Sequence, residues 1–115
     1  MAWISLTDLS QLKHIQLESF SKTQCIFKHS TRCSISSMAY ERLNQNIELL
    51  SNRADFYCLD LLKHRDISNA VQELFSVAHE SPQILVIHQG ECIFEESHLG
   101  IQPKEIMEQI SNIPL

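Results

Sequence analysis

The fold of this 115-residue chain is decided by the stretch SPQILVIHQG at residues 81–90. Its centre, Ile84–Ile87, is a run of aliphatic residues such as occurs in a central strand buried on both faces. Pro82 cannot continue a helix, so it marks the point where a preceding helix ends. Gly90 favours a hairpin turn, because glycine adopts backbone angles that other residues avoid. The stretch therefore predicts a helix end, a central strand and a tight turn, in that order.

The segments around this strand show helix and strand periodicities. The preceding segment Asp66–Val77 has an apolar stripe at helical spacing, and its first residue can cap a helix. The following segment Cys92–Glu96 forms the returning, antiparallel strand of the hairpin. Pro103 can open a last helix over Lys104–Ile113, because proline is favoured in the first helical turn. The two stripes comprise Ile67, Val71, Leu74 and Ala78, then Ile106, Ile110 and Ile113.

The N-terminal half alternates helix and strand in the same way. Apolar residues at helical spacing predict a first helix over Asp8–Phe20 and a second from Ser34 onward. Thr23–Lys28 and Ala54–Leu61 are short apolar segments typical of strands. The second helix joins these two strands, which are therefore parallel neighbours, because a helical crossover connects parallel strands.

The resulting order, αβαβαββα, predicts an α/β fold with a four-stranded mixed sheet flanked by helices. This is the thioredoxin-like arrangement, although periodicity alone leaves other α/β sandwiches open. A chain of this length suffices for one hydrophobic core, so we expect a single domain over residues 1–115.

Composition and charge narrow the possible partners. The formal charge of −5 argues against nucleic acid, because phosphate binding requires a basic surface. No run of about 18 apolar residues exists, so we expect no membrane span. Residues 1–8 lack the basic and apolar regions of a secretory signal. We therefore expect a cytoplasmic protein, in which thiols are mostly reduced.

The four cysteines do not have the spacing of a metal site or a disulfide framework. They lie at positions 25, 33, 58 and 92, without a Cys-x-x-Cys pair, and we expect no bound metal. Cys25 and Cys58 lie in apolar strands, where free cysteines are commonly buried. Cys92 begins the last predicted strand, and nothing adjacent to it would activate a thiol.

Cys33 differs from the other three, because it lies where a strand has ended and a helix begins. Backbone N–H groups and the helix dipole favour a thiolate there, and Arg32 and His29 add possible positive charge. A two-thiol redox protein would carry its second cysteine at the position of Ser36. This serine can donate a hydrogen bond to the sulfur but cannot form a disulfide. The pattern predicts a one-thiol site with Cys33 and Ser36 as catalytic residues.

Several residues near this site have two interpretations each. Pro82 is either an ordinary trans proline or the cis proline of a substrate site, in which Ser81 presents its backbone to the substrate. Lys28 and His29 belong either to the site or to the solvated end of a strand. His79 follows a predicted helix, where a protonated histidine would bond the last carbonyl groups.

The segment Phe27–Ser36, FKHSTRCSIS, resembles the active-site segment of the monothiol bacilliredoxins, the YtxJ-like family. The resemblance runs from Trp3 to the last helix. Further matching residues are Leu59–Leu61, Arg65, Ser68, Asn69, His79–Gln83, Gly90, Ser97, His98 and Ile101. Many members have proline where this chain has Ser34, and we expect the difference to alter the redox poise without removing activity.

The resemblance implies thiol–disulfide exchange with bacillithiol, a cysteine–glucosamine–malate thiol. Cys33 would take bacillithiol from mixed disulfides on client proteins, and a second thiol would then regenerate it. Bacillithiol is thus a co-substrate, and no cofactor is implied. Its dianionic malate would meet Arg32, the helix start at Ser34, or His98, while Ser81 and Pro82 would contact the substrate. We expect a monomer or a weak dimer.

Two other functions stay open at this stage. One-thiol relatives in the wider fold hold an iron–sulfur cluster between two subunits, which would colour the purified protein brown. A non-catalytic adaptor would instead have an ordinary thiol at Cys33 and would not exchange with a mixed disulfide.

Overall fold

The structure is a computed structural model that describes residues 2–113. Within these residues a five-stranded mixed sheet is flanked by four α-helices. The strands are β1 (Trp3–Ser5), β2 (Thr23–His29), β3 (Ala54–Asp60), β4 (Gln83–His88) and β5 (Glu91–Ser97). The helices are α1 (Ser10–Glu18), α2 (Ser34–Leu50), α3 (Arg65–Phe75) and α4 (Pro103–Ser111), with a short 3₁₀ turn at His98–Gly100. No helix in this part of the chain has the length and apolar character to cross a membrane.

The strand order in the sheet is β1-β3-β2-β4-β5, and β2 lies at its centre. β1 and β2 are parallel to β3, whereas β4 is antiparallel to both β2 and β5. The α/β class and the predicted element order are confirmed, with one more strand than expected. β1 is too short to show an alternating pattern. Its position is set by Trp3, whose ring packs against Phe27 and Phe56.

Alternate residues of β2 serve two separate hydrophobic layers. Cys25 and Phe27 face the layer formed with α2 and α4. Ile26 faces the layer formed with α1 and α3. The side chains of a strand point alternately to its two faces, so the short segment 23–29 anchors both layers. The strand ends where these two layers end, and the loop that follows is exposed.

Some predicted helix boundaries were wrong by two residues. The first helix begins at Ser10, whose N–H donates to Asp8 Oδ1 at 2.8 Å. The third helix ends at Phe75, because Ser76 adopts a left-handed conformation with φ of 55°. Leu74, expected in the apolar stripe, is exposed, and Ala78 lies beyond the helix. The predicted hairpin turn is confirmed, with positive φ at both Gln89 and Gly90.

Sheet register brings several chain segments together at one edge. His29 at the end of β2 pairs with Asp60 at the end of β3. Lys28 pairs with Gln83 at the start of β4, and Gln83 also pairs with Ser97 at the end of β5. The loops that follow β2, β3 and β5, and the loop that precedes β4, therefore meet at the same edge.

Candidate functional site

Cys33 lies at the start of α2, where it is the N-cap residue with an extended backbone (φ −107°, ψ 123°). Its N–H donates to the Ser30 carbonyl at 3.1 Å, which closes a turn directly after β2. Its own carbonyl accepts the Ser37 N–H at 3.0 Å, the first hydrogen bond of the helix. The thiol residue is half-buried. The predicted placement of Cys33 between strand and helix is therefore confirmed.

Ser36 contacts the loop that carries Cys33, through partners that the sequence did not predict. Its side chain is fully buried, and its Oγ lies 2.6 Å from His29 Nδ1. The same Oγ accepts the Ser30 N–H at 2.9 Å. A helical side chain leans toward the helix N-terminus, so Ser36 reaches back to the end of β2. The structure thus gives this hydroxyl other partners than the predicted one, the Cys33 sulfur.

His29 is held in a stack of aromatic rings. Its ring stacks on those of Phe27 and Tyr40, with centroids 5.6 and 5.1 Å away, and these two rings also stack on each other. Burial lowers the pKa of His29, and the negative charge of Asp60 offsets part of this effect. Burial therefore works against the positive charge that was expected of His29 beside the thiol. Arg32, the other predicted cation, is exposed, and its part in the site stays a prediction.

A cavity of about 440 Å³ adjoins this stack at the edge of the sheet. His29, Tyr40 and Thr31 form one of its walls, and Cys58 and Asp60 of β3 form another. The cavity therefore borders the turn between β2 and Cys33 on the side away from β4. Its lining includes hydroxyl, carboxylate and imidazole groups beside the apolar Leu6 and the Cys58 thiol.

The opposite side of the site is formed by the loop before β4. The Ser81–Pro82 peptide bond is cis and not trans, while its contact with substrate stays a prediction. The His98 N–H donates to the Pro82 carbonyl at 3.1 Å, and His98 Nε2 lies 3.8 Å from Glu80 Oε2. His98, which is distant in sequence, thus adjoins the cis proline. The Ser81 Oγ is buried and has no hydrogen-bond partner within residues 2–113.

The sequence-predicted residues fall into two groups at this edge. Arg32 and Ser34 flank Cys33 and are both exposed. The second group is formed by Ser81, Pro82 and His98. The pairing of β2 with β4 places the two groups on neighbouring strands of the same edge. Within residues 2–113 no hydrogen bond joins the two groups, so their joint action stays a prediction.

Lys28 is a buried charged residue that the sequence left undecided. It is 0% exposed, and its Nζ lies 3.2 Å from His79 Nδ1. Burial lowers the pKa of Lys28 to about 8. Burial and the lysine charge also lower the pKa of His79. His79 was expected to bond helix carbonyls as a cation; instead its Nδ1 contacts the buried Lys28. Period-two alternation was the available signal, since Lys28 is in phase with the buried Ile26.

The other three thiols lie in β-strands. Cys25 is fully buried, and burial strongly raises its pKa. Cys58 is only half-buried, contrary to expectation, but burial still raises its pKa to about 11. Burial also raises the pKa of Cys92, whose Sγ donates to the Phe94 carbonyl at 3.3 Å. Over residues 2–113 no three His, Cys, Asp or Glu side chains come together as a metal site.

Comparison with solved structures shows the same fold. A candidate oxidoreductase with a thioredoxin fold is 28% identical, with a TM-score of 0.81 and coverage of 96% of this chain and 95% of the other. Malassezia sympodialis thioredoxin is 16% identical, with a TM-score of 0.74 and coverages of 96% and 89%. Mitochondrial thioredoxin 3 of Saccharomyces cerevisiae, in its oxidised form, is 18% identical, with a TM-score of 0.69 and coverages of 95% and 93%. The two thioredoxins are too distant to show more than the fold.

A family comparison is more specific. The sequence model of the family described as monothiol bacilliredoxin BrxC matches residues 4–106. Together with the oxidoreductase neighbour, this match supports a thiol–disulfide redox function. Ser36 stands three residues after Cys33, where a two-thiol protein would have its second cysteine. The family match covers most of the chain, so the protein belongs to the monothiol bacilliredoxin family.

Proposed function

We propose that this protein removes bacillithiol from mixed disulfides on client proteins. The observation that carries the proposal is the position of Cys33 at the start of α2, on the same sheet edge as the cis Ser81–Pro82 bond. A helix start favours negative charge on a sulfur, and the thiolate is the nucleophile in exchange. The family membership supports bacillithiol as the thiol that is exchanged.

The first step exchanges one S–S bond for another. The Cys33 thiolate attacks the bacillithiol sulfur, the client–bacillithiol bond breaks, and the client leaves as a thiolate. The product is a Cys33–bacillithiol disulfide. In the second step a free bacillithiol thiolate attacks the bound bacillithiol sulfur, which releases Cys33 as a thiolate and forms bacillithiol disulfide. Each step conserves the number of disulfide bonds, so no further oxidant or reductant is needed.

The buried Ser36 supports an exchange mechanism that uses a single thiol of the protein. Ser36 stands where a second cysteine would attack the intermediate from within the same chain. Its Oγ is committed to His29 and to the Ser30 N–H, and a hydroxyl cannot form a disulfide. The Cys33–bacillithiol intermediate therefore persists until an external thiol arrives. We propose a supporting catalytic role for Ser36, which holds the turn that presents Cys33.

A mixed disulfide joins two groups, the client and bacillithiol, and two surfaces flank the proposed nucleophile, Cys33. One surface consists of Ser81 and His98 beside the buried cis Pro82, and we propose that it contacts the client peptide. The other begins at Arg32 and Ser34. We propose that Arg32 and His98 supply positive charge for the malate carboxylates, and that Ser34 adds a backbone donor at the helix start.

We further propose a cytoplasmic location and a monomer or weak dimer. Both fit a protein whose partners are small thiols and exposed client cysteines. Neither bacillithiol nor a client requires a cofactor from the protein, because the thiol supplies all the chemistry of exchange.

The test is a client-release assay. A client protein carrying bacillithiol on one cysteine is mixed with the wild-type protein, and the appearance of free client thiol is followed over time. Release by the wild type but not by Cys33→Ser supports the proposal, and Cys92→Ser serves as a matched control that should remain active. Equal release by wild type and Cys33→Ser would overturn it.

A further inference from the structure

Lys28 is an unusual residue, because its charged group is buried without an acidic partner. The residue is 0% exposed, and no carboxylate within residues 2–113 lies within 4 Å of its Nζ. Its Nζ contacts His79 Nδ1 at 3.2 Å instead. Taking an ammonium out of water costs free energy, and an apolar side chain at such a site is often more stabilising. Stability therefore does not account for this lysine.

His79 belongs to the loop that leads to the cis proline. The His79 N–H donates to Gln72 Oε1 at 3.0 Å, and Gln83 Nε2 donates to the Ala78 carbonyl at 3.1 Å. The Ser68 Oγ lies 3.3 Å from the same Nδ1 that Lys28 contacts. The loop 78–82 is thus tied to α3, to β4 and, through Lys28, to the end of β2. The contact between Lys28 and His79 links this loop to β2, the strand that precedes Cys33.

The contact also determines the protonation of the histidine ring. An ammonium group has donors and no acceptor, so His79 Nδ1 accepts the hydrogen bond from Lys28. In a neutral imidazole the second nitrogen, Nε2, then carries the proton. His79 is an exposed residue, and the lysine charge works against a second proton on its ring. The ring therefore offers an N–H donor two residues before Ser81.

We infer that Lys28 is a positioning residue for client recognition. Its buried ammonium fixes His79 in the Nε2–H form and holds the cis-proline loop against the end of β2. His79 then donates a hydrogen bond to a backbone carbonyl of the client peptide as that peptide lies beside Ser81. The recognition role rests on the proposed function, whereas the fixed histidine does not.

The direct test observes the histidine in the wild-type protein. Long-range ¹H–¹⁵N correlation spectra distinguish an imidazole protonated at Nε2 from one protonated at Nδ1. We expect His79 in the Nε2–H form alone, and a mixture of both forms in Lys28→Met. A wild-type His79 protonated at Nδ1, or on both nitrogens at pH 7, would overturn the inference. This result does not depend on bacillithiol or on a client.

The second test separates positioning from a structural role. The Lys28→Met variant is compared with Lys13→Met, which removes an exposed lysine from α1. We expect Lys28→Met to fold with an equal or higher Tm but to show a KM for a bacillithiolated peptide raised roughly tenfold, the factor that matches about 1.4 kcal/mol. We expect kcat to change much less, and Lys13→Met to behave as the wild type.

His79→Phe supplies the complementary variant. It should raise KM to the same extent as Lys28→Met, and the double variant should be no worse than either, since both residues act through one donor. A lower Tm in Lys28→Met, loss of its fold, or an unchanged KM would contradict the inference. If the wild type exchanges with no bacillithiolated peptide, the proposed function fails and with it the recognition role, while the spectra still decide the form of His79.

Discussion

Cys33 and Cys58 are both half-buried cysteines at the same end of the molecule, yet their surroundings differ. Cys58 lies inside β3, where it pairs with Phe27 of β2 and lines the cavity beside His29. Burial raises its pKa to about 11, and the nearby charge of Asp60 adds to the effect. Cys33 lies outside the sheet, at the first turn of a 17-residue helix. Similar exposure therefore accompanies different backbone surroundings.

The difference between Cys33 and Cys58 indicates that backbone position matters more than exposure for the reactivity of a thiol. The backbone N–H groups of β3 are engaged with β1 and β2, so they cannot solvate a thiolate at Cys58. The first N–H groups of a helix have no partner within the helix and favour an anion. Cys33 and Cys58 should for this reason differ strongly in reactivity.

The largest expected effect is the loss of exchange in Cys33→Ser. No release of client thiol above background is expected, because a serine hydroxyl is not a nucleophile toward disulfides near neutral pH. Cys58→Ser should keep most of the activity. If Cys58→Ser is as inactive as Cys33→Ser in the release assay, both thiols take part in exchange and the predicted difference between them is wrong.

The next effect concerns the rate of alkylation. At pH 7 a thiol with a pKa of about 11 has on the order of a hundredfold less thiolate than an ordinary thiol of about 8.5. Cys58 should therefore react far more slowly than Cys33, and the fully buried Cys25 more slowly still. Peptide mapping after brief treatment with a thiol reagent gives the order. Modification of Cys25 or Cys58 before Cys33 would show that the burial argument is wrong.

A third prediction extends the comparison to Lys28, the buried cation at the end of β2. Its pKa is lowered to about 8 in the folded protein from an ordinary 10.5, so the unfolded chain binds more protons between these values. The free energy of unfolding should then rise with pH across this window, by up to about 3 kcal/mol, relative to Lys28→Met. Urea unfolding of both proteins at pH 7 and pH 10 measures the difference. Parallel pH dependences in the two proteins would mean that Lys28 is not buried as a cation.

The smallest expected effect on activity is that of Ser36→Ala. The substitution leaves the buried Ser30 N–H and His29 Nδ1 without their partner, so the free energy of unfolding should fall by about 1–3 kcal/mol. Exchange should slow only a few-fold, since Cys33 itself is unchanged. Ser37→Ala, next along the same helix and exposed, is the matched control. An inactive but folded Ser36→Ala would instead assign this hydroxyl a direct part in the exchange.

Periodicity predicted most of the fold, because the layers of this protein are built from regular apolar stripes. The three-residue strand β1 could not be predicted, since its position depends on Trp3 packing against residues distant in sequence. The 3₁₀ turn at His98–Gly100 has no apolar periodicity either. Both features are set by tertiary contacts.

The position of Cys33 was predictable from the strand-to-helix junction, whereas the partners of its neighbours were not. Spacing alone predicted a hydrogen bond from Ser36 to the Cys33 sulfur. Helical side chains tilt toward the helix N-terminus, however, and the Ser36 Oγ contacts His29 instead. Burial beside Phe27 and Tyr40 lowers the pKa of His29 and so works against the positive charge expected there. Lys28 stayed undecided between the site and the solvated end of a strand, because lysine is rarely buried without an acidic partner.

Bacillithiol transfer to Cys33 is tested most directly by measuring the mass of the intact protein after incubation with a bacillithiolated client. The wild type is incubated with a bacillithiolated client in the absence of free thiol, alkylated, and weighed by mass spectrometry. We expect one bacillithiol adduct, reversed by reductant and mapped to Cys33. An unmodified Cys33 beside a client that has lost its bacillithiol, or an adduct on another cysteine, would contradict it.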